Sequence, residues 1–265
     1  MLASRIIVNT VPKSGTHILT RALDLIGLER KFLPIGSYEL ATEGSVPLLA
    51  DVTESSPLRP ALLDRLRAVE TLKSGEYAGT HHYWTEAGAR YLREADVCMI
   101  LLVRNPYGVA LSGARWMTDP RPKRDEELRT TLHAMPMRDR IRTAIFGHPL
   151  LPYSRPLLDL YRNMAQWARS LPCHVATYEG LVGTRGRGLD SHQRTELENL
   201  YKFIGADDVK IGHVASNLWG GGPGTTFAVG DAYAWRDCQN LFDDDCKQAL
   251  ALMDAIVRNM LYAVA

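Results

Sequence analysis

No apolar run in this 265-residue sequence reaches the roughly 20 residues that a helix needs to cross a bilayer. The first five residues pass almost directly into a strand-like run, without the apolar stretch of a secretory signal, so the expected location is cytoplasmic. An excess of either charge is also missing: 31 Lys and Arg face 30 Asp and Glu, for a net charge of +1. Nothing in that balance calls for nucleic acid or an anionic membrane as partner, so any positive charge that matters must be local. Cysteine is scarce, and Cys98, Cys173, Cys238 and Cys246 are spaced as neither a zinc site nor a C-x-x-C pair. All four read as reduced thiols, Cys98 as a small core residue, with a Cys238–Cys246 bridge as the open alternative. Internal repeats, low-complexity tracts and dividing linkers are absent too. With 46% hydrophobic residues the chain can bury a full core, so one domain over residues 1–265 is expected.

What is present alternates. Residues 5–9 form a short β-branched run apt for a buried strand, and Ile18, Leu19, Ala22, Leu23, Leu25 and Ile26 then recur at helical spacing up to Gly27. Residues 60–72 read as a helix with Leu62, Leu63, Leu66 and Val69 on one face. The continuous apolar run 97–103 suits a strand buried on both faces, as in a parallel sheet. A helix is expected over 107–116 and another over 156–171, a strand over 174–178, and helices over 193–204 and 243–264. Residues 117–152, rich in charge and proline, predict an irregular or partly helical excursion, and Gly220 to Gly224 a flexible loop. The fold class is therefore α/β, a doubly wound, mainly parallel sheet.

Between the first strand and helix stands Pro12-Lys13-Ser14-Gly15-Thr16-His17. A helix N-terminus leaves backbone N–H groups unpaired and carries partial positive charge, and a small loop lets those groups wrap a phosphate. Lys13 adds a full charge, and Ser14 and Thr16 add hydroxyl donors. The pattern is not a Walker A loop, because Lys13 precedes Gly15 and no glycine stands at the required distance before it. Taken alone, the segment also fits an ordinary strand-to-helix turn with a solvated lysine.

These six residues resemble the 5'-phosphosulfate loop of the sulfotransferases that use 3'-phosphoadenosine-5'-phosphosulfate (PAPS), which reads P-K-S-G-T followed by Thr or His. A second likeness follows the apolar run. Arg104-Asn105-Pro106, with Ser112 eight residues after the arginine, reproduces the family's R-x-P-x-x-x-x-x-S, whose arginine and serine hold the 3'-phosphate. A guanidinium forks onto phosphate oxygens, which makes the assignment chemically sensible. Tyr178-Glu179-Gly180-Leu181 is similar to the family's Y-E-D-L, whose tyrosine lines the nucleotide pocket, with glycine in place of the acid. Phe227-Ala228-Val229-Gly230, with Trp235-Arg236 five residues on, resembles F-R-K-G and its following tryptophan, a loop that closes over the 3'-phosphate. Two departures stand out: the closing loop's Arg and Lys are Ala228 and Val229, and the tryptophan that stacks on adenine in many members is Ile18. Arg236 and Arg115 are the candidate replacements.

The resemblance implies a phosphate-loop sulfotransferase fold with PAPS as co-substrate, 3',5'-adenosine bisphosphate (PAP) as product and no metal. It places the donor on Lys13, Ser14, Gly15, Thr16, His17, Arg104, Ser112, Tyr178, Phe227 and Gly230, with Lys13 stabilising the leaving oxygen. Histidine is the usual base for an acceptor hydroxyl, and Gly79-Thr80-His81-His82 aligns with the family's T-H-L-P or G-H-x-P-Y. His81 is then the base, with His82 the alternative if the register slips by one. The expected acceptor is a small molecule or glycan bearing a hydroxyl or amine, shaped by residues 33–58, 84–92 and 117–153, with Trp84, Trp116, Met117, Met135 and Met137 as candidate apolar lining. A homodimer is among the expected assemblies. A small-molecule kinase on a related scaffold, and a non-catalytic nucleotide-binding homologue, are the competing readings.

Overall fold

The computed structural model describes residues 5–33, 63, 66–120, 126–147, 156–207, 210–219 and 231–263. Five parallel strands form one sheet: β1 (Ile6–Thr10), β2 (Glu29–Lys31), β3 (Glu76–Thr80), β4 (Cys98–Val103) and β5 (Cys173–Thr177), in the order β2-β3-β1-β4-β5. β1 lies at the centre, and every residue in it is buried. Sheet residues of alternating parity feed two separate cores. Ile6, Val8, Ile100 and Leu102 meet α1 (Thr16–Ile26), while Ile7, Met99, Leu101 and Val103 meet helices on the opposite face. That two-sided burial is why β4 reads as an unbroken apolar run.

The remaining helices are α2 (Glu86–Glu94), α3 (Pro106–Trp116), α4 (Glu126–Ala134), α5 (Met137–Phe146), α6 (Leu157–Ser170), the single turn α7 (Tyr178–Leu181), α8 (Asp190–Ile204), α9 (Ile211–Leu218) and α10 (Asp244–Ala263). The α/β class and the parallel sheet agree with the sequence reading, as do α1, α3, α6, α8 and α10. The differences have local causes. Within the stretch expected to be irregular or partly helical, residues 126–134 and 137–146 form two regular helices. Pro136 separates them, and Ala144 of α5 sits so close to Gly113 of α3 that a Cβ there would be 3.2 Å away. That close approach needs only small residues, so the expected apolar stripe is thin. Helix α2 went unread because Gly88 interrupts it. Gly88 is required: its N–H donates to the capping Thr85 hydroxyl (3.0 Å), and a Cβ would meet Leu66 at 3.0 Å. The strand expected to include Tyr178 stops at Thr177, whose hydroxyl caps α7 by accepting from the Gly180 N–H (3.0 Å). Of the helix read over 60–72, Leu63 and Leu66 are helical and residues 67–71 form a 3-10 helix, with Leu66 and Val69 buried; residues 60–62, 64 and 65 lie outside the described residues. All four cysteines are free. No helix among the described residues is long and apolar enough to cross a membrane.

In this order β1 sends its chain toward β2 and β4 sends its chain toward β5. Their carboxyl ends therefore diverge side by side, which is where open α/β sheets bind ligands. The loop after β1 is held in an unusual backbone conformation, with Lys13 at φ +70° and Gly15 at φ +107°. Gly15 caps α1, and a Cβ on it would lie 2.3 Å from Cδ2 of Tyr178. Replacing Gly15 by alanine should therefore add left-handed strain and a ring clash of about 2 kcal/mol together. Thermal unfolding should show a lower midpoint for Gly15→Ala, and a midpoint equal to wild type would contradict this packing.

Candidate active site

The rim of the site is built from the ends of β1, β3, β4 and β5. The loop at residues 11–15 turns back on itself, its Ser14 N–H donating to the Val11 carbonyl at 3.0 Å. Left-handed residues at 13 and 15 flank Ser14, an alternation that turns successive N–H groups toward one side, as in an anion nest. Gly15 offers no side-chain cap to the first turn of α1, and no acidic residue stands in that turn. The Ser14 hydroxyl is buried, with no hydrogen-bond partner among the described residues. An unpaired buried donor beside a helix N-terminus free of acids fits an anionic group. The Lys13 ammonium lies 5.4 Å from the centre of the Trp116 ring.

Arg104 follows β4. Asn105 caps α3 by accepting from the Tyr107 N–H (3.0 Å), Pro106 fills the first helical position, and Gly108 leaves the space through which the Arg104 side chain passes. A Cβ on Gly108 would lie 2.8 Å from Arg104 Nε. The guanidinium stacks over the Tyr178 ring at 4.1 Å and donates through Nη2 to the Asp231 carbonyl (3.0 Å). Its Nη1 reaches the Lys13 carbonyl at 3.5 Å. Lys13 and Arg104 therefore lie on one continuous rim, with Tyr178 wedged between Arg104 and Gly15. The Tyr161 hydroxyl donates to the Arg104 carbonyl (2.6 Å), and the Asn105 N–H donates to Glu179 (3.1 Å). Burial raises the Glu179 carboxyl above its ordinary range while nearby Arg104 opposes the shift, and burial likewise raises the Tyr178 phenol. Ser112 lies two turns along α3 and is partly exposed.

The two adjacent histidines have different surroundings. His81 is partly exposed, and its Nδ1 lies 2.7 Å from the Thr10 carbonyl oxygen and 3.1 Å from the Thr10 hydroxyl. A carbonyl carries no proton, so Nδ1 must donate, and the lone pair of the neutral ring falls on Nε2. His82 is 3% exposed and lies beside Trp167, whose indole N–H donates to the His82 carbonyl (3.1 Å). The Asn9 side-chain amide pairs with both backbone groups of His82: Oδ1 accepts from the His82 N–H (2.9 Å) and Nδ2 donates to the His82 carbonyl (3.1 Å). Asn9 thus fixes which histidine faces inward and which faces the rim. Asn9 and Thr10 were not read as site residues. Their signal was two polar residues ending an apolar strand at 0% and 2% exposure.

Other sequence-predicted residues are distributed unevenly. His17 is partly exposed and accepts the Thr20 hydroxyl at its carbonyl (3.2 Å). Phe227 and Gly230, with Ala228, Val229 and the Gly220 to Gly224 loop, lie outside the described residues. Ile18 is buried in the α1 core. Arg115 is exposed, and Arg236 is stacked on Tyr233 at 4.3 Å. Among the apolar lining candidates, Trp116 lies beside Lys13. Trp84 is tied to Ser170 (2.9 Å) and Asn163 (3.0 Å), Met117 packs with Leu132, Met135 accepts the Thr143 hydroxyl at its sulfur (3.6 Å), and Met137 packs on the main core.

The Sulfotransferase domain family matches residues 3–144, more than half of the chain. The chain belongs to the sulfotransferase family. No curated protein sequence matches it. Among solved structures, mouse sulfotransferase SULT7A1 complexed with PAP is similar at a TM-score of 0.62 and 14% identity, over 99% of this chain and 89% of that one. Retinol dehydratase in complex with retinol and PAP is similar at a TM-score of 0.56 and 14% identity, over 97% of this chain and 82% of that one. At this identity the likeness establishes the fold of the sulfotransferase.

One departure of this sulfotransferase from the motif has a structural account. Gly180 stands where the family has an acid, and a Cβ there would lie 2.4 Å from Oε2 of Glu196 on α8. Glu196 accepts from the Thr177 hydroxyl (2.9 Å) and pairs with His174 (3.2 Å), so a carboxylate from another helix fills the space beside Gly180. Gly180→Asp should lower the unfolding midpoint by roughly 4 °C or more, through overlap and like-charge repulsion. In a Glu196→Ala background the same change should cost much less, and equal costs in both backgrounds would show that the two sites do not compete.

Proposed function

We propose that this sulfotransferase moves a sulfuryl group from PAPS to a hydroxyl or amine of a small-molecule or glycan acceptor. The observation that carries the proposal is the contact between the Arg104 guanidinium and the Lys13 carbonyl, which sets two anion-binding groups on one rim. The unpaired Ser14 hydroxyl, the uncapped first turn of α1 and the left-handed loop backbone all favour an anion there. Lys13, Ser14, Gly15, Thr16 and His17 would hold the 5'-phosphosulfate end of the donor. Arg104 and Ser112 would hold the 3'-phosphate, with Tyr178, Phe227 and Gly230 completing the pocket. PAP, found in the solved relatives' complexes, is the product expected here. No resident metal is assigned to the site. We take residues 1–265 as one catalytic domain acting in the cytoplasm, with a homodimer among the assemblies to test.

In the proposed reaction the acceptor oxygen or nitrogen attacks sulfur in line as the bond to the bridging oxygen breaks. His81 takes the acceptor proton on Nε2, the nitrogen left basic when Nδ1 donates to Thr10. Lys13 stabilises the negative charge that gathers on the bridging oxygen as PAP leaves, an interaction stronger in the transition state than in the ground state. His82, buried beside Trp167, is left with a packing role.

The burial of Ile18 favours one second reading, a nucleotide-binding homologue without turnover, since no aromatic stacks on adenine from that position. Transfer from radiolabelled PAPS to a broad acceptor panel separates the two. Wild type should transfer label, and Lys13→Ala and His81→Ala should each lower the rate about a hundredfold or more. Activity indifferent to both changes would remove the mechanism. Selective thermal stabilisation by ATP–Mg²⁺ over PAP would favour a kinase instead.

A further inference from the structure

Thr10 touches both halves of the proposed chemistry. Its hydroxyl lies 2.7 Å from the Thr16 hydroxyl in the first turn of α1 and 3.1 Å from His81 Nδ1. Its carbonyl lies 2.7 Å from the same nitrogen. Thr10 is 2% exposed, so its hydroxyl proton must find a protein acceptor.

The direction of every proton in this chain follows from one fact. Nδ1 of His81 faces a carbonyl and must be the donor; its one proton is shared between that carbonyl at 2.7 Å and the Thr10 hydroxyl at 3.1 Å, so the hydroxyl can only accept, as the longer limb. The Thr10 proton then goes to the Thr16 oxygen, the other partner within reach. With its oxygen already accepting, Thr16 turns its own proton away from Thr10. Thr16 stands in the first turn of α1, beside the loop whose backbone is arranged for an anion.

We propose that Thr10 is a positioning residue that couples the base to the donor loop, through a directed chain from His81 Nδ1–H to the Thr10 hydroxyl to the Thr16 hydroxyl. The chain aims the Thr16 proton at the donor anion and leaves Nε2 of His81 as the basic nitrogen. One residue therefore sets both the polarity of the anion site and the tautomer of the base. The proposal rests on the sulfotransferase reading for the identity of the anion, but the proton order does not.

The test uses the full chain with PAP as the probe, followed by titration calorimetry, and the ring nitrogen resonances of His81 read by ¹⁵N NMR. Wild-type His81 should carry its proton on Nδ1 in the neutral form. Thr10→Val, which keeps the carbonyl and the shape but not the hydroxyl, should weaken PAP binding about five- to tenfold. Thr10→Ser should restore affinity to within about twofold. His81→Phe should weaken PAP binding in wild type and add little in the Thr10→Val background, because both changes break one chain. A merely structural threonine would not give that loss of additivity. The proposal fails if His81 is protonated on Nε2, if Thr10→Val binds PAP like wild type, if serine does not rescue, or if the two changes are additive. If wild type does not bind PAP, the sulfotransferase reading fails on that result, and the His81 tautomer still decides the proton order.

Discussion

The site depends on the stacking of the Arg104 guanidinium on Tyr178. Tyr178 in turn covers Gly15, so the ends of β1, β4 and β5 are locked through one cation and one ring. The contact is close because two glycines make room, Gly15 under the ring and Gly108 beside Arg104 Nε. A charged group held this way is partly desolvated, and its remaining N–H donors can turn toward an anion without further rearrangement. Asp231 and Lys13 contribute carbonyl oxygens rather than carboxylates to Arg104, so these contacts orient the positive charge without neutralising it.

A second constraint acts across β1 and β3. The strands are parallel neighbours with Asn9 opposite Thr80, so the chain leaving β3 passes directly over the polar end of β1. Asn9 grips the backbone of His82 while Thr10 grips the ring of His81. Burying these polar groups is favourable only because each finds a partner. Their partners belong to the segment that carries the proposed base. The same strand end thus opens the phosphate loop on one side and orients a histidine on the other.

Much of this was legible in the sequence because phosphate-binding loops need particular residues in a particular order. Gly15 marks a left-handed turn under the Tyr178 ring where a side chain is costly, and Asn105-Pro106 marks a helix start immediately after Arg104. The unbroken apolar run of β4 announced a strand covered on both faces. Less legible were contacts between distant residues: Asn9 with His82, Tyr161 with Arg104, Glu196 with the space beside Gly180. Each joins a side chain to a residue tens of positions away or fills a motif position from another element, and local patterning carries no record of either. Helix α2 went unread, and α4 and α5 were legible only as part of an irregular or partly helical stretch, for a related reason. Gly88 of α2 and Ala144 of α5 sit at close approaches, and α4 buries only Leu132, so the apolar stripe that normally reveals a helix is narrow. The closing-loop positions Phe227 and Gly230 remain expectations from the motif alone.

The central claim is that Lys13 and Arg104 hold opposite ends of one nucleotide. Titration calorimetry with PAP, adenosine 5'-phosphate and adenosine 3'-phosphate, on wild type, Lys13→Ala and Arg104→Lys, tests it most directly. The account predicts that Lys13→Ala weakens ligands bearing a 5'-phosphate and Arg104→Lys those bearing a 3'-phosphate, each by about tenfold. PAP should be weakened by both. Equal losses for all three ligands in either variant, or PAP binding insensitive to both changes, would contradict it.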